Sequence, residues 1–357
     1  MASAPRDAIN LGLGQTNEPV PEVLQRALRE APALVAAPYG ANAGEAQLRS
    51  LIAGDAGVSD ERVIVTVGVE QALSLAILGT LDPGDEVVVP APGFPVYGNL
   101  ARMAGAVPVP MRLAAADGFR PTWAALEACL TPRTRMVVLC SPGNPTGATA
   151  HPEELSRIAR ELASRGIPWL SDEIYLGLQY GPQTHGTMLQ HGDEGYVASG
   201  LSKSHGLAGW RLGWLIVPLA VQQKLVALHQ HLVTSAPTVL QQAACAAFGP
   251  EGRHALTSLS ASLASRRLLA REALASGGWD VASGDGAFYL FVRLPGEEDD
   301  LALAERLMHE HGVITIPGRA FGDEGAGYVR VSYAQPEAVL REGLRRMVTA
   351  ARSRADG

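Results

Sequence analysis

Lys203 is one of only two lysines in a chain of 357 residues that otherwise uses arginine for positive charge. It lies in Ser199–Trp214, SGLSKSHGLAGWRLGW, eight positions ahead of Arg211, which stands in a Gly-x-Arg-x-Gly context. An amine can lose its proton and form a Schiff base with an aldehyde, which a guanidinium cannot do. A solvated lysine in a Gly/Ser-rich loop is the plain alternative, and taken alone it is the better reading. The neighbouring polar sets change that. Gly68-Val69-Glu70, Ala91–Tyr97 (APGFPVY) with Phe94, Ser141–Gly147 (SPGNPTG) with Asn144, and Asp172-Glu173-Ile174-Tyr175 each follow a short apolar run. Together they offer a carboxylate, a phenol, an amide, an aromatic face and the free N–H groups of a helix start, which suit an anion.

The apolar runs read as strands at Arg62–Val67, Glu86–Pro90, Arg135–Cys140, Ile167–Ser171, Tyr196–Ser199 and Leu212–Val217. Helical spacing fills Val69–Leu81 and Pro152–Arg165, the second with proline and two glutamates in its first turn. Strand and helix in alternation predict an α/β fold, a mostly parallel sheet with helices on both faces. Ligands of such sheets bind beyond the carboxyl ends of the strands, where all the polar sets fall. Before this region, Ile9–Gly14 reads as extended, Pro21–Glu30 and Glu45–Ala53 as helices, and Tyr39–Gly44 as a loop. After it, Leu219–Phe248 reads as mostly helical. Ala255–Ser276, Leu301–His311 and Pro336–Ala351 follow as helices, and Ala287–Leu294, Val313–Ile316 and Tyr328–Tyr333 as strands. These last suit a smaller α+β domain. The expected organisation is an N-terminal segment 1–35 joining the small domain, a large domain 36–245 and a small C-terminal domain 246–357.

Composition narrows the function. Apolar residues make up 47% and charged residues 18%, enough for a sizeable core. A net charge of −7 argues against nucleic acid or an anionic membrane as partner. The three cysteines, Cys129, Cys140 and Cys245, are scattered without CxxC spacing, which suggests buried free thiols in a reducing cytoplasm. No signal-peptide pattern and no membrane-length apolar run is read, and the histidines of HPEE and HEH lack metal-ligand spacing, so no metal is expected.

SPGNPTG, DEIY and SKSHGLAGWRLG, in this order and spacing, strongly resemble the class I/II aminotransferases of fold type I, which use pyridoxal 5′-phosphate (PLP). INLGLG, the Tyr39–Gly44 loop with Leu48-Arg49, DPGDEV and RVSYA fall in the same register, so the resemblance covers nearly the whole chain. It implies a fold of a large PLP-binding domain and a small one. It further implies that Lys203 forms the Schiff base and moves the Cα proton, that Asp172 pairs with the pyridinium nitrogen, and that Tyr175 and Asn144 bond the phenolic oxygen. Phe94 is implied to stack on the ring, with Tyr97 as the competing stacker. Arg211 with Gly68, Val69 and Glu70 is implied to hold the phosphate, the last three through backbone. Arg330, Asn144 and Gly14 are implied for the substrate, and Tyr39 for the phosphate of a partner subunit in a homodimer with shared sites.

Three positions depart from the family pattern. Gly200 stands where Ser or Thr is usual, and Ser202 is expected to take over its phosphate bond. Glu70 stands where a small or hydroxyl residue is common. Arg319 stands in PGRAFG where serine is common; solvent exposure is preferred for it over an acidic substrate group. His205 is expected to be structural. Transamination from an L-amino acid, neutral or aromatic because of the INLGLGQ segment, Phe94, Tyr97 and Phe288, to a 2-oxo acid such as 2-oxoglutarate is the leading expectation. A PLP-dependent C–S β-lyase or oxidase is the alternative, disfavoured because Tyr175 stands where such lyases often carry His. A DNA-binding regulator is a third reading, set aside because family motifs begin by Ile9, leaving no room for a helix-turn-helix.

Overall fold

The structure, a computed structural model, describes residues 5, 7–36, 39–181 and 184–355. Among the described residues thirteen strands run in chain order: β1 Ile9–Asn10, β2 Val63–Thr66, β3 Glu86–Ala91, β4 Val107–Arg112, β5 Thr134–Cys140, β6 Trp169–Asp172, β7 Tyr196–Gly200, β8 Gly213–Ile216, β9 Asp280–Val281, β10 Tyr289–Arg293, β11 Val313–Ile314, β12 Ile316–Pro317 and β13 Val329–Ser332. Seven of them form one sheet in the order β2-β8-β7-β6-β5-β3-β4. Its pairs are parallel except those of β8, which runs antiparallel to both β2 and β7. The predicted α/β architecture is therefore the one formed.

Its strands are short and apolar because both faces are covered. Successive residues serve opposite sides: Ile64, Met136, Val138, Leu170 and Ala198 join one core, while Val63, Val65, Val137, Leu139, Trp169 and Val197 join the other. The first core continues without a break into Tyr289, Leu290, Val331 and Leu344 of the C-terminal region. There β12-β13-β10-β9 form an antiparallel sheet, flanked by the helices Pro250–Ser276 and Glu337–Ala355. The N-terminal β1 pairs in parallel with β11.

Leu219–Phe248 is mostly helical, as expected, with helices Gln222–Val233 and Thr238–Ala244 separated by a turn at Thr234, which has positive φ. Other local expectations are corrected. Val313–Ile316 is split between two sheets, β11 pairing with β1 and β12 with β13. The helix Val96–Met103 and strand β4 were not read from the sequence. Alternating prolines in β4 (VPVPMR) hide it, and it is tolerated because β4 is an edge strand.

Candidate active site

The carboxyl edge of the seven-stranded sheet carries a cavity of about 300 Å³. Each sheet connection delivers something to it. β2 leads through Val67 to Gly68, the N-cap of helix Val69–Thr80. The first N–H groups of that helix have no intrahelical partner. Gly68 has φ +75°, and a Cβ there would lie 2.7 Å from an Arg211 guanidinium nitrogen. Glycine therefore lets the cation lie against the helix start. Arg211 precedes β8, and only because β8 is antiparallel does its leading end reach this edge. Arg211 itself is held at φ +49°, a conformation costing about 1–2 kcal/mol for a non-glycine residue. Its guanidinium pairs with the Glu70 carboxylate at 3.3 Å, both groups about half exposed.

β7 leads into a helical turn, Leu201–Ser204, so Lys203 sits on a helix rather than in the expected loop. Gly200 caps this turn, and a Cβ there would meet the Leu212 carbonyl oxygen at 2.9 Å and Gly213 Cα at 3.0 Å. That crowding explains why no hydroxyl residue stands at 200. Ser202 is buried and lines the cavity. The Lys203 ammonium donates to the Gly14 carbonyl at 2.6 Å. Burial lowers its pKa to about 8, with Arg211 and Arg330 acting in the same direction and Asp172 against it. The neutral amine at pH 7 thus rises to about 10% of the population, from about 0.03% at the ordinary value.

Asp172 ends β6 at the cavity floor, 3% exposed. Burial raises its pKa to about 6; the Tyr97 hydroxyl, donating at 2.7 Å, and the Ile174 N–H, donating at 3.2 Å, oppose that rise. It is ionised at neutral pH. Tyr97 was the expected competitor of Phe94 for a stacking role; with its hydroxyl committed to Asp172 and its ring edge-on to Phe94 at 5.7 Å, it is a partner of the carboxylate. Phe94 remains partly buried against the core and lines the cavity.

The opposite wall comes from the C-terminal sheet. Arg330 on β13 is 7% exposed and donates to Asn144 Oδ1 at 2.7 Å and to the Gly12 carbonyl at 2.6 Å. Its guanidinium lies over the rings of Tyr289, at 4.3 Å, and Phe321, at 5.0 Å. With Oδ1 engaged, the Asn144 amide N–H groups are left for a ligand. The INLGLG segment supplies a carbonyl to each of the two cations, Gly12 to Arg330 and Gly14 to Lys203.

Gly14, Val69, Glu70, Phe94, Asn144, Asp172, Tyr175, Ser202, Lys203, Arg211 and Arg330 thus line one cavity, with Gly68 against Arg211 beside it. Tyr39 does not: it is 89% exposed, outside this chain's cavity. Phe288, expected at the pocket, is fully buried behind Tyr175, their rings 5.5 Å apart. Tyr289 faces the cavity instead. Phe288 lies in the turn that precedes β10 and Tyr289 is the first residue of that strand, their rings 4.6 Å apart, so a one-residue error exchanged core for site. Arg319 is exposed, as expected, its guanidinium paired on the surface with Asp299 and Asp300 and outside the cavity. His205 is buried outside the cavity, its ring nitrogens beside the Ser204 hydroxyl and the Gly252 carbonyl. Sequence reasoning missed Leu73, Cys140 and Ile174 in the lining; their only signal was position just after a strand or inside the first helix turns.

Comparison with known proteins agrees with this geometry. Residues 6–347 match the family described as aminotransferase class I and II. A probable N-acetyl-LL-diaminopimelate aminotransferase of Bacillus subtilis is 35% identical over 96% of this chain and 88% of its own. The valine–pyruvate aminotransferase of Mycobacterium tuberculosis is 34% identical over 96% and 90%. The solved aspartate aminotransferase of Thermus thermophilus with maleate superposes with a TM-score of 0.92 at 32% identity, covering 96% of this chain and 91% of that one. Site, fold and relatives agree: the chain belongs to the class I and II aminotransferase family.

Proposed function

We propose that the protein is a PLP-dependent aminotransferase that moves the amino group of a neutral or aromatic L-amino acid to a 2-oxo acid such as 2-oxoglutarate. Lys203 is the amine that holds the cofactor. One observation carries this reading: an amine with its pKa lowered to about 8 shares a cavity with a buried carboxylate, three phenols and two guanidinium groups. The residues fit the cofactor end by end. Arg211, in the space Gly68 leaves, suits a phosphate together with the N–H groups of Val69 and Glu70 and the Ser202 hydroxyl. Asp172 suits a pyridinium nitrogen, Tyr175 and the Asn144 amide a phenolic oxygen, and Phe94 a ring face. The Glu70 carboxylate alone is at odds with a phosphate.

When bound, the cofactor supplies an aldehyde for amine exchange and a ring that takes up the electron pair released at the substrate Cα. This chain's residues do the rest. Arg330 and Asn144 hold the α-carboxylate and so fix the direction of the Cα–H bond. Lys203, once its amine is free and neutral, takes that proton and returns it one position away. Asp172 keeps the ring nitrogen protonated, which sustains the ring's appetite for electrons.

The substrate class follows from charge. The cations lining the cavity among the described residues are Lys203, Arg211 and Arg330, all with work to do on the cofactor or the α-carboxylate. None is left for a side-chain carboxylate, while Leu73, Phe94, Ile174 and Tyr289 offer apolar surface. The names of the relatives span acidic and neutral amino acids, so the lining, not the names, supports this choice.

A homodimer with shared sites is part of the proposal. Tyr39, Leu34 and Val35 are all exposed, and the loop after Tyr39 is bound through Asn42 to Thr234, which follows the exposed Leu232 and Val233 in the chain. A second copy of the chain would cover these residues and give Tyr39 an anion to reach. The three free cysteines support a cytoplasmic setting.

An absorbance spectrum tests the function. The purified protein with PLP should show a visible band that is lost on adding L-amino acids and restored by 2-oxoglutarate or pyruvate. Lys203→Ala should lack multiple turnover by a factor of about 10³ or more. A band that persists while ammonia and an oxo acid accumulate would replace transamination by elimination or oxidation.

A further inference from the structure

We infer that Tyr289 is a positioning residue: it donates its hydroxyl proton to Tyr175 and so leaves the Tyr175 proton aimed into the cavity. This rests on the proposed function, in which Tyr175 meets the phenolic oxygen of the cofactor.

The two hydroxyl oxygens are 2.9 Å apart, and both side chains are buried while lining the cavity. Among the described residues, no other hydrogen bond reaches either oxygen. Burial pushes both phenols above their ordinary pKa, so the pair carries two protons throughout the working pH range. Only one proton can lie between two oxygens. Either Tyr289 donates and Tyr175 points its own proton at a ligand, or the reverse holds and Tyr175 offers the ligand only a lone pair.

The surroundings choose between these. Arg330 lies 4.3 Å from the Tyr289 ring centroid, and a cation over a phenol ring draws electron density from its hydroxyl and strengthens it as a donor. In the reverse arrangement the Tyr289 proton would need a second acceptor. The nearby Gly14 presents its Cα to this hydroxyl, a Cβ there lying 2.9 Å from the oxygen, and its carbonyl is already taken by Lys203. Tyr289 as donor satisfies both phenols, and a hydroxyl that accepts one bond is a better donor in the next.

A bond from Tyr175 stabilises negative charge on the phenolic oxygen, which makes the neighbouring nitrogen joined to Lys203 release its proton more readily. Of the other groups facing Lys203, Asp172, Arg211 and Glu70 make no bond to Tyr289 and Arg330 meets only its ring, which Phe retains; Cys140, near both tyrosines, stays a neutral thiol with its pKa pushed up to about 12.

The experiment is a pH titration of the visible band of the PLP-loaded protein, in wild type, Tyr289→Phe, Tyr175→Phe and the double variant. Phenylalanine keeps the ring beneath Arg330. The midpoint should rise by about 0.5–1 unit in Tyr289→Phe and by more in Tyr175→Phe. The double variant should match Tyr175→Phe, because Tyr289 acts through Tyr175. An unchanged midpoint in Tyr289→Phe, or a shift that persists when Tyr175 is already Phe, overturns the inference. An unchanged midpoint in Tyr175→Phe removes instead the assigned role of Tyr175, and absence of any PLP band removes the proposed function.

Discussion

The floor and the mouth of the cavity are built differently. At the floor Asp172, Asn144, Tyr175 and Arg330 are all under 9% exposed, and each has a hydrogen-bond partner in the same chain. At the mouth Arg211 and Glu70 are 47% and 59% exposed, and Tyr39 projects away altogether. The floor is preorganised before anything binds; the mouth holds groups whose partners lie outside the chain. A buried ion pair left without its partner costs several kcal/mol, whereas an exposed pair is worth about 0–1 kcal/mol. Changes at the floor should therefore strike chemistry hard, and changes at the mouth should adjust affinity gently.

Arg330→Ala is the strongest test of that contrast. Removing a buried, hydrogen-bonded charge with the proposed role of gripping the α-carboxylate should lower kcat/KM about 100- to 1,000-fold, from ~3–4 kcal/mol. Binding of PLP should be unchanged. Steady-state kinetics beside a PLP titration decide it, and a loss below threefold would end the distinction between floor and mouth.

Tyr97→Phe probes the floor through pH. The Tyr97 hydroxyl holds the Asp172 pKa down against burial, so its loss should carry that pKa above about 6. A bond to a charged group is worth about 1.5–3 kcal/mol, or ~1–2 pH units. The acid limb of kcat/KM should move to higher pH by that amount. Stability of the cofactor-free protein has a definite sign. Asp172 titrates above its ordinary 3.8 when folded, so its contribution is most favourable below that pH and is lost as pH rises through about 6. Tyr97→Phe should thus lower Tm more at pH 8 than at pH 4, and an equal loss at both would remove the role of the bond.

Glu70→Ser should have the smallest effect and the opposite sign. It frees Arg211 and removes a carboxylate from the helix start where a phosphate would lie. The Kd for PLP should fall about 3- to 10-fold, from ~0.7–1.4 kcal/mol. Pyridoxal, which lacks the phosphate, should bind as before; equal tightening of both ligands would show that Glu70 acts elsewhere.

Much of this site was legible in the chain. Lys203, Asp172, Tyr175, Asn144, Phe94 and Arg330 sit in ordered motifs just beyond strand-like runs, and the parallel sheet brings such positions to one edge. Tyr289 and Tyr97 were misread for different reasons. Choosing Tyr289 over Phe288 required knowing where β10 begins and which of two adjacent rings reaches the cavity, which residue type cannot fix when both neighbours are aromatic. The bond from Tyr97 to Asp172 joins residues far apart in sequence.

The sequence by itself determined most of the groups that line the cavity, the α/β architecture and the family, because periodicity and motif spacing are local properties of the chain. Only the tertiary structure decided which groups are paired before a ligand arrives: Tyr97 with Asp172, Tyr289 with Tyr175, Asn144 with Arg330, Glu70 with Arg211. Those pairings set pKa and proton direction. They depend on burial and on distances of a few ångströms across the fold, and neither is written in any one stretch of residues.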